Sequence, residues 1–591
     1  MLNDTIKGIL IWRAKNISQK QLLIILSVLI GLIAGIAAVT LKTIVHYIEY
    51  ILTHSFASNK EIFLYLATPL LGILLTVLFI KVFIKDNIGH GISRILYAIS
   101  KKNGNIKSHN TYSSIISCAL TTGLGGSVGM EAPIVYTGSS IGSTIGRFFR
   151  LSYKTKVLLI GCGAAAAVSG IFKAPIAGVV FVLEILMLDL TTASIIPLLI
   201  ASVSASVVSY LFLGSQIIFY FSIKDIFVFR NLLFYLPLGI FAGFISLYFT
   251  KMNNVVESTM KKVRNDYSRI IVGGVLIGIL IFVFPPLYGE GYLAIKSLLG
   301  GSSVEVFNNS LFYQFKDSAW LFIAYLALIL VFKVFATALT TGSGGIGGVF
   351  APALFMGAFA GYSFSKVINL LLPNMHVSER NFSLVGMAGL MSGIMHAPLT
   401  AIFLIAEITG SYELFLPLMV TASASYMTVK IFQPYSIYAK KLAERGELIT
   451  HHKDKAVLTL LNIKEVVETN FSTVGPNETL GNIINVVKES NRNIFPVVDD
   501  DNNFLGYIQL DDIRSIMFDR SLYNNTYAHE LMTHPPVNVS MTDQMEEVMN
   551  KFNKYNQWNL PVIENEKYVG FISRSNLFSA YRKLLVEFSE D

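Results

Sequence analysis

The stretch ALTTGLGGSVGMEAP at 119–133 returns as ALTTGSGGIGGVFAP at 338–352, with ten of fifteen positions identical. A repeat of that fidelity means that one structural unit occurs twice in the chain. Working outward, 163–185 returns as 386–408 with SGI, AP and EI at matched positions, and GHGIS at 89–93 is echoed by GEGYL at 289–293. The matches keep the same order, so residues of about 22–220 and 230–440 read as two homologous halves.

The medium around those halves follows from composition. The chain has 591 residues, 53% hydrophobic and only 14% charged, which is more apolar material than a water-facing surface tolerates. Several apolar stretches, among them 133–148 and 174–188, are shorter than the ~20 residues a bilayer crossing needs and are interrupted by Gly and Pro. Broken helices persist in a membrane only where their ends are buried in protein or line a cavity, so a transport site is expected at the breaks.

Charge separates a second region. Residues 451–591 hold 13 Lys and Arg against 20 Asp and Glu, so this tail carries −7 and, with +8 over the whole chain, the remainder carries +15. The basic excess suits loops facing anionic lipid and draws anions toward a pore. Nucleic acid is excluded as a partner, because the Lys and Arg are scattered through apolar sequence rather than lined along one face. Cys118 and Cys162, the only cysteines, lie in apolar stretches and offer neither a disulfide framework nor a Cys-based metal site. Lys7, Arg13, Lys15 and Lys20 precede an apolar run from Leu22 with no small-residue cleavage site, so residues 1–21 are expected in the cytosol and the run stays as a membrane helix. An even number of crossings then puts the tail on the same side, in a multi-pass protein of the cell membrane.

Three Gly-rich turns, GHGIS, GMEAP and GGVFAP, lead into helix-compatible apolar stretches. The first N–H groups of a helix are unpaired and its dipole is positive there, so such an end buried in a membrane attracts an anion. Glycine lets backbone approach the ion, and Pro133 and Pro352 suit a first helical turn. The plainer reading is punctuation in a packed bundle; three such turns, two of them in the repeated block, favour the anion site.

G-x-G-I-x at 89–93, G-x-E-x-P at 129–133, G-x-F-x-P at 348–352 and the tyrosine of SIYAKKL at 436–442 resemble, in order, the four filter elements of the CLC family of chloride channels and proton-coupled chloride exchangers. The resemblance spans 22–446 and implies an all-α polytopic domain of two inverted halves, a homodimer with a pore in each subunit, and an anion held by helix starts. The anion-binding positions it implies are His90, Gly91, Ile92, Gly129, Met130, Gly348, Val349, Phe350 and Tyr438, with the N–H groups of Val349 and Phe350 and the Tyr438 hydroxyl on the central ion. Partial charges suit conduction, which needs binding weak enough to release the ion. Glu131 resembles the gating glutamate, whose carboxylate occupies an anion position and leaves or takes a proton when anions pass.

Departures from the family pattern bear on mechanism. His90 stands where well-known members carry a serine; either its ring donates to the anion or only its backbone matters, and chloride is therefore inherited from the family. Ser93 replaces a proline, and Met130 replaces an arginine often found beside the gate. Exchangers often carry two successive acidic residues where this chain has Glu184 and Ile185, so the inner proton acceptor is missing. Glu184 and its repeat mate Glu407 read as packing residues, with Glu184 kept as an alternative proton carrier; Lys173 and His396, just before AP in each half, read as loop or helix-start residues. A passive anion channel or transporter is expected, with a proton-coupled exchanger, or a carrier of another anion, as alternatives.

After a linker at 447–462 the tail is doubled, FPVVDDDNNFLGYIQLDDI at 495–513 against LPVIENEKYVGFISRSNL at 560–577. Each copy resembles a CBS module, taken as 463–522 and 523–591, an α+β fold that pairs in tandem and often binds adenine nucleotide. Of the usual Ser/Thr-x-x-Asp element the first copy keeps Asp512 but has Gln509, and the second keeps Ser573 but has Asn576. Nucleotide binding and a structural role are both open at this point, and no other cofactor is expected. HELMTH at 529–534 has one residue too many between its histidines for a helical zinc pair, so neither a metal site nor an enzyme is expected. A cation channel would need acidic or carbonyl rings rather than paired helix starts.

Overall fold

In the computed structural model the described residues are 15–54, 61–86, 88–89, 91–187, 192–214, 229–300, 303–307, 310–315, 318–445, 461 and 463–589. Two compact units divide the chain, Met1–Leu448 and Ile449–Asp591.

The first half of the first unit runs α1 (Gln19–His54), α2 (Glu61–Phe79), α3 (Gly91–Lys101), α4 (Asn110–Gly123), α5 (Glu131–Phe148), α6 (Tyr153–Phe172), α7 (Pro175–Ile185) and α8 (Thr192–Leu213). The second half repeats that order as α9 (Leu232–Lys262), α10 (Asp266–Val283), α11 (Tyr292–Gly300), α12 (Ala319–Gly342), α13 (Phe350–Leu371), α14 (Glu379–Met395), α15 (Pro398–Thr409) and α16 (Phe415–Phe432), followed by α17 (Lys440–Glu444). Among the described residues nine helices are long and apolar enough to cross a membrane, whereas the repeat mates α7 and α15 hold only 11 and 12 residues.

Local chemistry sets these breaks. Lys173 and His396 end α6 and α14 in the left-handed conformation, and Pro175 and Pro398 then open α7 and α15, where a missing N–H costs nothing. Glu184, near the end of α7, accepts from the N–H groups of Leu399 (2.9 Å) and Thr400 (2.7 Å) at the start of α15. Glu407, near the end of α15, accepts from Ile176 (3.0 Å) and Ala177 (2.8 Å) at the start of α7. Each mate ends beside the other's beginning, so the two run antiparallel and the halves are inverted.

Small residues let the helices of each half close up. A Cβ on Gly138 of α5 would overlap the carbonyl of Gly163 in α6, and Gly357 of α13 meets Gly386 of α14 in the same way. With no solvent-driven force between helices in lipid, such bare-backbone contacts supply packing that longer side chains would prevent.

The second unit holds two antiparallel hairpins, β1 (Ile494–Val498) with β2 (Phe504–Gln509) and β3 (Asn559–Glu564) with β4 (Lys567–Ser573). Val474 and Val539 add parallel bridges to β1 and β3. The modules exchange their leading segments. Leu461, Ile463 and Val466 pack into the core of the second hairpin, and Ala528 packs into the core of the first. Core membership therefore crosses the 522/523 division read from sequence order, because Glu468 pairs with Phe571 of β4 and Thr533 with Tyr507 of β2.

Candidate functional site

The two quoted repeats meet face to face. Gly129 N–H donates to Gly348 O at 2.9 Å and Gly348 N–H donates to Gly129 O at 2.8 Å, an antiparallel bridge between residues at the same repeat position. From it α5 and α13 begin, with cap residues Met130 and Val349 that supply no side-chain acceptor to the first turn. The first-turn N–H groups therefore keep their partial positive charge. A Cβ on Gly348 would lie 2.8 Å from Ala132 Cβ, and one on Gly91, which has φ 25°, would lie 2.7 Å from Ala132 O. The start of α3, at Gly91 and Ile92, is thus pressed onto the start of α5, and three helix starts converge. His90 lies outside the described residues.

Glu131, the first residue of α5, is 2% exposed. Its Oε1 accepts from the Tyr292 hydroxyl at 2.7 Å, and its Oε2 lies against Gly129, facing the Ala351 N–H in the first turn of α13. The carboxylate thus occupies the convergence point as an anion would. Tyr438 is buried, its hydroxyl finds no hydrogen-bond partner among the described residues, and it feels the charge of Glu131. A buried phenol donor without an acceptor is costly unless something fills the space beside it. Ser93 Oγ donates to Tyr438 O at 2.8 Å, pinning the tyrosine segment to α3; sequence gave Ser93 only a helix-start role. Phe350 is fully buried, its ring 5.2 Å from that of Phe172.

Glu184 lies apart from this cluster. Besides its two backbone donors it accepts from Thr400 Oγ1 at 2.7 Å, so both oxygens serve the start of α15, and its neighbour Ile185 is buried. Lys173 Nζ donates to Gly214 O at 2.7 Å, and His396 meets Tyr426 edge-on, both at helix ends.

Three residues at the site escaped sequence reasoning. Glu290 Oε1 accepts from Met130 N–H at 3.0 Å; Tyr292 holds Glu131; Lys333, fully buried in α12, donates to Ser127 Oγ at 2.9 Å and Gly289 O at 3.3 Å. The echo of GHGIS in GEGYL was the available signal. Two lysines interact electrostatically with these carboxylates, Lys42 of α1 with both Glu131 and Glu290, and Lys333 with Glu290.

In the tail, Asp512 accepts from Gln509 N–H at 3.0 Å. Ser573 Oγ donates to Glu468 at 2.6 Å and accepts from Asn576 N–H at 3.1 Å, while Asn576 Nδ2 donates to Val466 O at 2.9 Å. The Gln509–Asp512 and Asn576–Ser573 bonds are helix-start caps, and the other two tie the second copy to the leading segment.

An inverted-repeat membrane bundle whose helix starts converge on a buried carboxylate defines a class of anion-handling transport proteins. Residues 71–430 match the family model described as voltage gated chloride channel, and 463–519 and 528–583 each match the CBS domain. The ClcB-like chloride channel protein of Ralstonia nicotianae is 32% identical over 362 residues, 60% of this chain and 80% of that protein. The H(+)/Cl(-) exchange transporter ClcA of Vibrio cholerae is 28% identical over 328 residues, 54% of this chain and 66% of that protein. Among solved structures, a slow cyanobacterial Cl-/H+ antiporter covers 73% of this chain and 99% of its own at 24% identity with a TM-score of 0.61, a likeness of fold. This chain belongs to the voltage-gated chloride channel family and carries two CBS domains. Its relatives are channels and transporters rather than enzymes.

Proposed function

We propose that the protein carries chloride across the cell membrane through the convergence of α3, α5 and α13, with Glu131 as gate. The observation that carries this reading is the placement of Glu131: a carboxylate folded onto the uncapped start of α13, opposite the unpartnered Tyr438 hydroxyl. Helix starts whose partial positive charges attract a carboxylate attract chloride in the same way once the carboxylate leaves. Protonation removes the attraction and frees the site, so flux rises as pH falls. Val349, Phe350 and Tyr438 then face the ion, and Gly91, Ile92 and Gly348 let the backbones close around it.

Glu184 is committed to the start of α15, and Ile185 offers no second carboxylate, which favours flux without fixed proton counter-movement. The exchanger reading draws on the names of the Vibrio and cyanobacterial relatives. Chloride efflux from reconstituted liposomes, with external pH recorded, tests both. Brisk efflux without uphill proton movement is expected, and Glu131→Gln should give flux independent of pH. Steady uphill proton movement driven by a chloride gradient would replace the channel by the exchanger. Faster movement of another anion than chloride would reassign the ion and direct attention to His90.

The proposal extends to assembly and topology. Helices α7 and α15 are too short to span a bilayer, yet Ile176 and Leu399 are exposed on them, which suits a second copy of the chain as cover in a homodimer. Both termini are placed in the cytosol. In the CBS tandem, Ser573 and Asn576 are tied to Glu468 and Val466 more than 100 residues away, whereas Asp512 bonds to Gln509 within its own turn, which favours Asp512 of the first copy for contact with an adenine nucleotide. Calorimetric titration of the full chain with ATP and AMP tests that part; no heat at millimolar ligand leaves the tandem a structural role.

A further inference from the structure

The second-half copy of the GHGIS turn, GEGYL, folds over the gate. Gly289 and Gly291 flank Glu290 with φ of 57° and 85°, a conformation that suits glycine, and a Cβ on Gly291 would overlap the Phe355 ring of α13. The turn is held there by Gly289 N–H, which donates to Gly125 O at 3.3 Å, and by Lys333, which reaches Gly289 O and lies 4.7 Å from the Phe355 ring. So placed, Glu290 is 8% exposed and accepts from the N–H of Met130, the residue that caps α5 immediately before Glu131. Glu290 thus addresses the start of α5 while Glu131, the first residue of that helix, reaches to the start of α13, so two buried carboxylates stand at one convergence of helix starts.

We infer that Glu290 is the second carboxylate of the gate: it sits on the positive start of α5, the helix that carries Glu131, and its charge sets the pH at which Glu131 releases the site. It touches Met130 rather than the ion path described above, so it is a positioning residue, and the inference rests on the gate reading of Glu131. The groups facing it are Glu131 of α5, Tyr292 of α11, Lys42 and Glu49 of α1 and Lys333 of α12. Like charges at one site cannot both ionise freely, so a charged Glu290 makes the proton on Glu131 easier to keep. Burial and Glu131 work against a charge on Glu290, whereas Lys42 and Lys333 favour it. If Glu290 served only as a cap for Met130, a glutamine with the same shape and the same acceptor would replace it without consequence.

Chloride efflux from liposomes measured against pH separates the two roles. In Glu290→Gln the flux curve should move toward acid by about one pH unit, lowering flux about fivefold at the pH where the unmodified protein is half-active. Glu290→Asp, which keeps the charge, should stay close to the unmodified curve. Lys333→Gln, which keeps a donor but removes the cation that favours a charged Glu290, should move the curve the same way by a smaller amount, and it reads the same coupling should Glu290→Gln fail to assemble. A Glu290→Gln curve that superimposes on the unmodified one, or moves toward alkali, overturns the inference while leaving the gate intact. A Glu131→Gln protein that still responds to pH overturns the gate reading, and the inference with it.

Discussion

The reciprocal caps of α7 and α15 make an asymmetry that can be measured. Glu184→Ala removes acceptors from Leu399 N–H, Thr400 N–H and Thr400 Oγ1, whereas Glu407→Ala removes them from Ile176 N–H and Ala177 N–H. The Leu399 and Ile176 groups are on the exposed side, where another acceptor can replace the carboxylate. That leaves two partly buried donors orphaned by the first change and one by the second. Hydrogen bonds to a charged group contribute about 1.5–3 kcal/mol each, so Glu184→Ala should cost about 3–6 kcal/mol and Glu407→Ala about half as much. Equilibrium unfolding of the detergent-purified protein gives both values, and Thr400→Val should recover part of the difference between them. An equal or reversed order would refute the reasoning. So would a stable Glu184→Gln protein whose flux loses its response to pH, because the carboxylate would then be carrying protons rather than capping a helix.

Other outcomes follow from the same geometry. Gly129→Ala places a methyl group where the Glu131 carboxylate lies, so the gate is displaced; flux should lose its pH response while the bridge to Gly348 persists, and an unaltered flux–pH curve would contradict the placement. Tyr438→Phe removes one neutral donor, worth about 1 kcal/mol, and calorimetry should find chloride bound roughly fivefold more weakly; unchanged affinity would take the hydroxyl away from the ion. In the tail, the side chain and backbone N–H of Asn503 hold the Asp499 carboxyl below the usual carboxylate range. Its folded value lies under its unfolded one, so its stabilisation is present above the ordinary carboxylate range and is lost as pH falls through the folded value. Amide exchange at Asn503 should therefore speed up in acid relative to Asp499→Asn, and identical pH profiles would dismiss the turn as a titrating element.

Much of the membrane unit was legible because it is written twice. The 119–133 and 338–352 blocks established two halves, the AP dipeptides marked the starts of α7 and α15, and Glu131 stood out as a carboxylate in apolar sequence. The paired role of Glu184 and Glu407 was also within reach, since both close the same repeat. Ser93, Glu290 and Lys333 were not. Each makes sense only through a partner far along the chain: Ser93 through Tyr438, Glu290 through Met130 160 residues away, Lys333 through Ser127 206 residues away.

What the sequence determined by itself is therefore local and repeated: apolar length, Gly and Pro breaks and the residue types at each helix start, all of which depend on neighbours within a turn. The inversion of the halves, the exchange of leading segments between the CBS modules and the meeting of Glu131, Glu290, Tyr292 and Lys333 were decided by tertiary structure. A helix start does not carry in its own residues the identity of what will face it; that is set when two halves related by a two-fold bring matched turns together, and only then does a second carboxylate stand beside the first.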